Sequence, residues 1–453
     1  VSYLALLALA GLLTLAGSGL LRRFGLPDRG PAHRAVFSFL AGALTWHLLL
    51  QVLTLAGVPW KRSLLAVALV GMAWLCRRGS QRWDRRPVPL RRAPSLKAGW
   101  GDGVAALAVL AFALLAPTLW ITTPDFIYHW GLKGEHAFLA RGIDYAWLGE
   151  PWNWSLHPDY PHLLPILYAS TARLALRFDA PTLQLWSVLF LGGIVLAVRA
   201  ALGQAGQAEV ARGAVQGGMA LVGMAAAAYS VGYLFAGGAD GMIALALAAA
   251  LPALLAPAEP AADVEIGIAA GFAAAAKIEG VPLAAFLIGV HLLRRLRGGL
   301  LAGRSGLREA GIAVLAAGGP ALAVALPWFV EAHRYHLFQP GNSGPFDWRR
   351  GRIILPAMLD ALRAPELHAL PWAVALLPLL WLARRTRPVA AVVSAQLGFY
   401  FWAYFASVLE PRFYVLSNFA RLLFHLLPAV LVGVVVALAP LPPGGQEGKT
   451  GGA

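Results

Sequence analysis

The sequence predicts an all-α polytopic membrane protein, and three observations carry that reading. Of 453 residues, 59% are hydrophobic and only 13% charged, about half the charged share of roughly 25% usual in soluble domains. Mean hydropathy is +0.65. Apolar stretches able to cross a hydrocarbon core of about 30 Å, which takes roughly 20 helical residues, recur along nearly the whole chain. Together these exclude a cytosolic enzyme. The single cysteine, Cys76, excludes an intramolecular disulfide framework and a cluster of cysteine metal ligands. A net charge of +15 does not indicate nucleic acid, because the basic residues concentrate in short segments between apolar stretches. They read as topology signals at the anionic cytoplasmic leaflet.

Taken in order, charged borders mark spans near residues 2–21, 35–57, 63–76, 101–121, 181–199, 213–232, 241–256, 264–276, 280–293, 310–328, 370–383, 388–408 and 419–438, about thirteen in all. The first lacks a basic n-region and a small-residue cleavage site, so it reads as a retained helix rather than a signal peptide. Segment 77–97 holds Arg77, Arg78, Arg82, Arg85, Arg86, Arg91, Arg92 and Lys97 against one acid, Asp84. The positive-inside rule assigns it to the cytoplasm. Counting onward returns the Arg294–Arg308 segment and the Arg384, Arg385, Arg387 turn to the same side; counting backward returns Arg22, Arg23 and Arg34. The external segments are then 122–160, 233–240, 329–352 and 409–418, with the N-terminus outside. The chain divides into N-terminal helices with a basic loop, 1–100, a membrane module, 101–438, and a cytoplasmic tail, 439–453. Segment 161–177 is apolar but short, and counting it as a span would put the arginine-rich turns outside. It is expected as a juxtamembrane helix lying at the outer surface, with 353–368 as a second.

External loop 122–160 carries Asp125, Tyr128, His129, Lys133, Glu135, His136, Asp144, Glu150, His157 and Asp159, with Trp130, Trp147, Trp152 and Trp154. Loops this long are functional or disordered, and the tryptophans argue against disorder. The indoles suit both an interfacial aromatic belt and a platform for sugar rings. Asp125 directly follows the fourth span, where its carboxylate can take a proton from an acceptor hydroxyl beside a lipid-anchored donor; the alternative is a helix-terminal aspartate solvated at the headgroups. Lys133 lies eight residues on, about two helical turns, and suits a lipid phosphate or simple snorkelling.

Ionisable residues within the apolar body default to functional hypotheses. Lys277 and Glu279 fall at the turn between the eighth and ninth spans, as a structural pair or a substrate contact. Asp240, after two glycines, shares their outer-edge position. Arg412 follows the twelfth span, while Arg421 and His425 share one face of the thirteenth. Arg421 requires an anionic headgroup or an internal carboxylate as partner. The histidines show no HExxH or comparable ligand spacing, and there is no P-loop, no GxSxG and no nucleic-acid module. No clear inverted repeat of the kind transporters carry is present.

With these residues in hand, the chain resembles the GT-C superfamily of integral membrane glycosyltransferases, in particular bacterial enzymes similar to lipid A aminoarabinose transferases and protein mannosyltransferases. The resemblance rests on Pro124-Asp125, Tyr128-His129-Trp130 with Lys133, His157-Pro158-Asp159-Tyr160-Pro161, Gly238-Ala239-Asp240, Lys277-Ile278-Glu279-Gly280, and Arg421 with His425 and Pro428, in order from Asp125 to Pro428. It implies a GT-C-like helix bundle, a polyprenyl-phosphate-sugar donor, inversion at the anomeric carbon, and an active site on the periplasmic face of a bacterial-type inner membrane. The acceptor would be a glycan, lipid or protein hydroxyl. Carried over, Asp125 is the base, Lys133 and Arg421 hold the lipid phosphate, and Asp240 supports the site, with Lys277, Glu279, His157, Asp159, Tyr160, His425 and Arg412 around it. No certain cofactor is implied, and a divalent metal is left open. One position departs: many relatives pair two adjacent acids, whereas Phe126 follows Asp125, which leaves Glu135 or Asp159 as substitutes. The competing classes are a transporter or flippase for a lipid-linked amphiphile, and an inactive scaffold with the same fold.

Overall fold

The structure, a computed structural model, describes residues 1–24, 29–83, 98–205, 209–229, 238–298, 306–338, 344–363 and 370–439. Among the described residues the regular elements are helical and no strand occurs. Residues 84–97 of the basic loop, 233–237 of the second external segment, Arg304 and the tail from 440 lie outside the described residues.

Helix α1 (Ser2–Arg23) ends where its apolar run meets Arg22 and Arg23, and α2 (Pro31–Leu55) opens on a proline, which suits a first helical position. The two cross closely because each places a glycine at the contact. A Cβ at Gly17 would lie 1.8 Å from the Ser38 carbonyl oxygen, and one at Gly42 would lie 1.9 Å from that of Leu13. Small residues at such crossings let membrane helices approach. Next come α3 (Arg62–Trp83), packed on α1, and α4 (Trp100–Leu115), whose Asp102 carboxylate accepts from the Gly99 N–H at 2.9 Å. The segment toward the site holds α5 (Gly131–Ala140), α6 (Tyr145–Leu148), α7 (Leu163–Ala175) and α8 (Ala180–Leu183). The rest of the bundle is α9 (Leu185–Ala205), α10 (Glu209–Tyr229), α11 (Asp240–Leu255), α12 (Pro260–Ala276), α13 (Gly280–Arg297), α14 (Gly306–Arg334), α15 (Gly351–Leu362), α16 (Leu377–Leu382), α17 (Arg387–Ala406) and α18 (Pro411–Leu438).

Seven helical stretches, Ser2–Arg23, Pro31–Leu55, Trp100–Leu119, Ala180–Gly203, Gly306–Arg334, Arg384–Ala406 and Pro411–Leu438, are long and apolar enough to cross a membrane. They mark the chain as a membrane protein. The expected spans at 63–76, 213–232, 241–256 and 370–383 overlap shorter apolar helices, residues 230–232 lying outside the described residues, and those at 264–276 and 280–293 fall in α12 and α13. Burial accounts for the shortness of α11, which is enclosed from Asp240 to Leu254. At 1.5 Å per residue it is about 24 Å long, and a helix surrounded by other helices need not match the lipid thickness. One hydrophobic core runs from α1 to α18, so the N-terminal helices are built into the same body as the rest.

The structure corrects the placement of segment 161–177. It forms α7, but every residue from Leu163 to Ala172 is buried, against α1, α2, α3 and α5, instead of lying on the surface. The physical reason is that α7 is apolar on all sides, and such a helix is driven inside. Two of its hydroxyls are engaged there: Trp46 Nε1 donates to Ser170 Oγ and Trp186 Nε1 to Thr171 Oγ1, each at 3.0 Å. Segment 353–368, of which 364–368 lie outside the described residues, supplies most of α15, which buries Gly351 and the Ile354, Ala357, Met358 and Ala361 stripe and packs on α18.

Buried ion pairs lock the Pro260 end of α12. Glu265 accepts from Arg29 Nε at 2.8 Å and lies 2.9 Å from His33 Nε2. Asp263 lies 2.6 Å from His291 Nε2 and 3.3 Å from Arg295 Nε. These contacts tie α2, α12 and α13 together at the end opposite the site described next.

Candidate functional site

Four stretches of chain converge at the Ala276 end of α12. Helix α11 begins at Asp240, so that carboxylate faces the helix N-terminus, where negative charge is favoured. The turn from α12 to α13 is forced tight by Gly280, where a Cβ would stand 1.9 Å from the Ala273 carbonyl oxygen. Lys277 and Glu279 are therefore held at the bundle end, Lys277 buried against it. Arg421 and His425 come from one face of α18. Asp125 sits in a helical stretch that passes through a π-turn, Phe126–Trp130, before continuing as α5. Such turns shift the side-chain register and cluster at functional sites.

Asp240 is the centre of the cluster and is fully buried. Its Oδ1 accepts from Lys277 Nζ at 3.1 Å and His425 Nε2 at 2.9 Å, and its Oδ2 accepts from Arg421 Nη2 at 2.7 Å and Nε at 3.3 Å. Arg421 also reaches Asp125, with Nη1 donating to Oδ1 at 3.2 Å and Nη2 donating to Oδ2. One guanidinium thus bridges two carboxylates, and of its five N–H donors one Nη1 hydrogen is left. The Tyr400 hydroxyl donates to His425 Nδ1 at 2.7 Å, which fixes the imidazole tautomer that donates from Nε2 to Asp240. Lys277 also pairs with Glu279 at 3.1 Å, and Gln396 Nε2 donates to the Glu279 carbonyl at 3.0 Å.

A second group adjoins the first. Lys133, on α5, is buried; its ammonium donates to the His157 carbonyl at 3.1 Å and lies 4.5 Å from the Trp130 ring and 5.6 Å from the Tyr160 ring. Tyr160 also faces Lys277 at 5.7 Å, so its ring stands between the two cations and joins the groups. His157 has a left-handed backbone with φ +50°, unusual for a residue with a side chain. Its ring stacks on Tyr160 at 4.8 Å and lies 3.9 Å from Asp159. Burial pushes the Lys133 ammonium down to about 7 and the Asp159 carboxyl up to about 6. Burial also drives His157 down to about 3 and His129 down to about 4, leaving both neutral at pH 7.

Of the residues singled out from the sequence, Asp125, Asp240, Lys277, Glu279, Arg421 and His425 meet directly, and Lys133, His157, Asp159 and Tyr160 meet beside them. Arg412 lies apart, exposed and paired with Asp360 of α15 at 3.0 Å. Glu135 is exposed on α5. Tyr400 and Gln396 are the additions from structure. They sit in an aromatic and apolar stretch of α17 that offers no spacing signal. Among the described residues no group of three or more His, Cys, Asp or Glu is placed to hold a metal ion, and the central carboxylates are already bonded to Arg421 and Lys277. This donor set does not fit a divalent metal.

Fold and site together define a helical membrane protein with a buried charged centre at one end of its bundle. No family model, no curated protein and no solved structure matches the chain.

Proposed function

We propose that the protein is an inverting glycosyltransferase of the GT-C type, moving a sugar from a polyprenyl-phosphate donor to an acceptor hydroxyl at the outer face of a bacterial-type inner membrane. The observation that carries the reading is the Asp125–Arg421–Asp240 bridge. It supplies a carboxylate at the rim, 20% exposed, oriented by a cation that is itself anchored on a fully buried acid. A general base needs reach and fixed orientation before it needs a special pKa. The acceptor hydroxyl gives its proton to Asp125 as its oxygen attacks the anomeric carbon. The bond from that carbon to the phosphate oxygen breaks on the opposite face, and the electron pair leaves with the phosphate. Lys133 and the remaining Nη1 hydrogen of Arg421 stabilise the growing negative charge. Asp240, Lys277, Glu279, His425 and Tyr400 position Arg421, while Trp130, His157 and Tyr160 wall the Lys133 ammonium.

Two results are expected from binding measurements with a polyprenyl-phosphate sugar. Lys133→Ala and Arg421→Ala each weaken binding by about tenfold or more, the scale of a charge-assisted hydrogen bond. Unchanged affinity in both refutes the phosphate assignment. The second result concerns pH. Lys133 is charged below about 7 and loses its proton above it, while the phosphodiester of the donor keeps one charge throughout. Affinity therefore falls as pH rises from 7 to 9, at up to about tenfold per unit, and Lys133→Arg, which stays charged, flattens the profile. A wild-type profile identical to that of Lys133→Arg removes the lysine from the site.

A further inference from the structure

Away from the charged centre, α1 and α3 leave between them a groove of about 340 Å³. It is lined by Leu4, Ala8 and Leu12 of α1, Ala66 and Val70 of α3, and Leu174 of α7. Arg62, the first residue of α3, stands at its mouth. Lys61 precedes it. Both cations are exposed, and neither has a carboxylate partner among the described residues. Arg177 adds a third cation at the same end of α1, donating to Ser2 Oγ at 2.9 Å, although Asp179 lies on its other side at 2.9 Å.

An apolar groove alone accepts any lipid chain, so the cations decide what is held. In the orientation argued from the basic loops, Lys61 and Arg62 lie on the outer side, where connecting segments carry few cations. They are therefore not topology signals. The groove runs along each helix from Leu4 to Leu12 and from Arg62 to Val70, a rise of about 12 Å, against about 15 Å for half of a hydrocarbon core of about 30 Å. That depth matches one acyl chain of one leaflet.

We propose that this groove is a binding site for an anionic glycerophospholipid, with an acyl chain against the Ala8 and Ala66 faces and the phosphodiester on Lys61 and Arg62. The proposal is independent of the transferase reading. A juxtamembrane cation attracts anionic lipid with an effect equivalent to about fivefold in affinity.

The test uses the full chain reconstituted with equal phosphatidylglycerol and phosphatidylcholine of identical acyl chains, with retained lipid counted by native mass spectrometry. Phosphatidylglycerol is expected to be retained in preference by about fivefold or more. Lys61→Ala with Arg62→Ala brings the ratio toward one, and Ala66→Trp, at an exposed position, fills the groove and lowers retention of phosphatidylglycerol. Equal retention by the wild type, or retention of phosphatidylglycerol that either change leaves at the wild-type level, overturns the site. Displacement of phosphatidylglycerol from this groove by an equimolar polyprenyl phosphate overturns the assignment to a glycerophospholipid.

Discussion

Asp125→Asn is expected to lower turnover by about 100-fold or more while donor affinity stays within a few-fold of wild type. The acceptor hydroxyl is a poor nucleophile at neutral pH, so attack on the anomeric carbon needs a carboxylate beside it. The phosphate departs without protonation, so a second catalytic acid is not required. That is why Phe126, directly after Asp125, does not defeat the proposed mechanism. Asparagine keeps the side-chain shape and one oxygen for Arg421, but has no basicity. Glu135→Gln, on an exposed residue of α5, is expected to leave turnover near normal. Near-normal turnover in Asp125→Asn, with loss in Glu135→Gln or Asp159→Asn instead, moves the base deeper into the loop.

Asp240→Ala is expected to cost about 3–5 kcal/mol of stability, the scale of a buried ion pair broken by removing one partner. Asp240 receives Arg421, Lys277 and His425 at once, and it is fully buried. Its removal leaves two cations in a desolvated pocket with only Asp125 and Glu279 at the rim. Against a total stability of about 5–15 kcal/mol, that predicts a sharply lower yield of folded protein and an early thermal transition in detergent. Asp240→Asn, which keeps acceptor oxygen in place, is expected to fall between. Wild-type melting of Asp240→Ala contradicts the assignment of Asp240 as the anchor of the site.

The helices were legible because a membrane span writes itself as an uninterrupted apolar run ended by charge, as at Arg22–Arg23. The ends of α11 and α12 were equally legible, since Asp240 and Lys277 break such runs. Arg421 demanded an anionic partner from its place inside a span, and the structure gives it two carboxylates. Lys277 and Glu279 lie 3.1 Å apart, at the turn where two runs end. What the sequence hides is what a residue faces. Tyr400 is one aromatic among many in α17, and only the fold turns its hydroxyl to His425. The π-turn at Phe126–Trp130 has no composition signal. Helix α7 looks like an interfacial segment by length, yet its apolar residues on every side draw it into the core. Arg412 follows a span as Asp125 does, but α15 supplies Asp360 to hold it away from the centre.

The most direct test of transferase function is incubation of the purified, lipid-reconstituted protein with a panel of polyprenyl-phosphate sugars and candidate acceptors, following both lipid and sugar. One donor is expected to be consumed while free polyprenyl phosphate accumulates and the transferred sugar carries the inverted anomeric configuration. Movement of an intact lipid-linked sugar across the membrane, with every donor in the panel unconsumed, would contradict the transferase reading and identify a transporter.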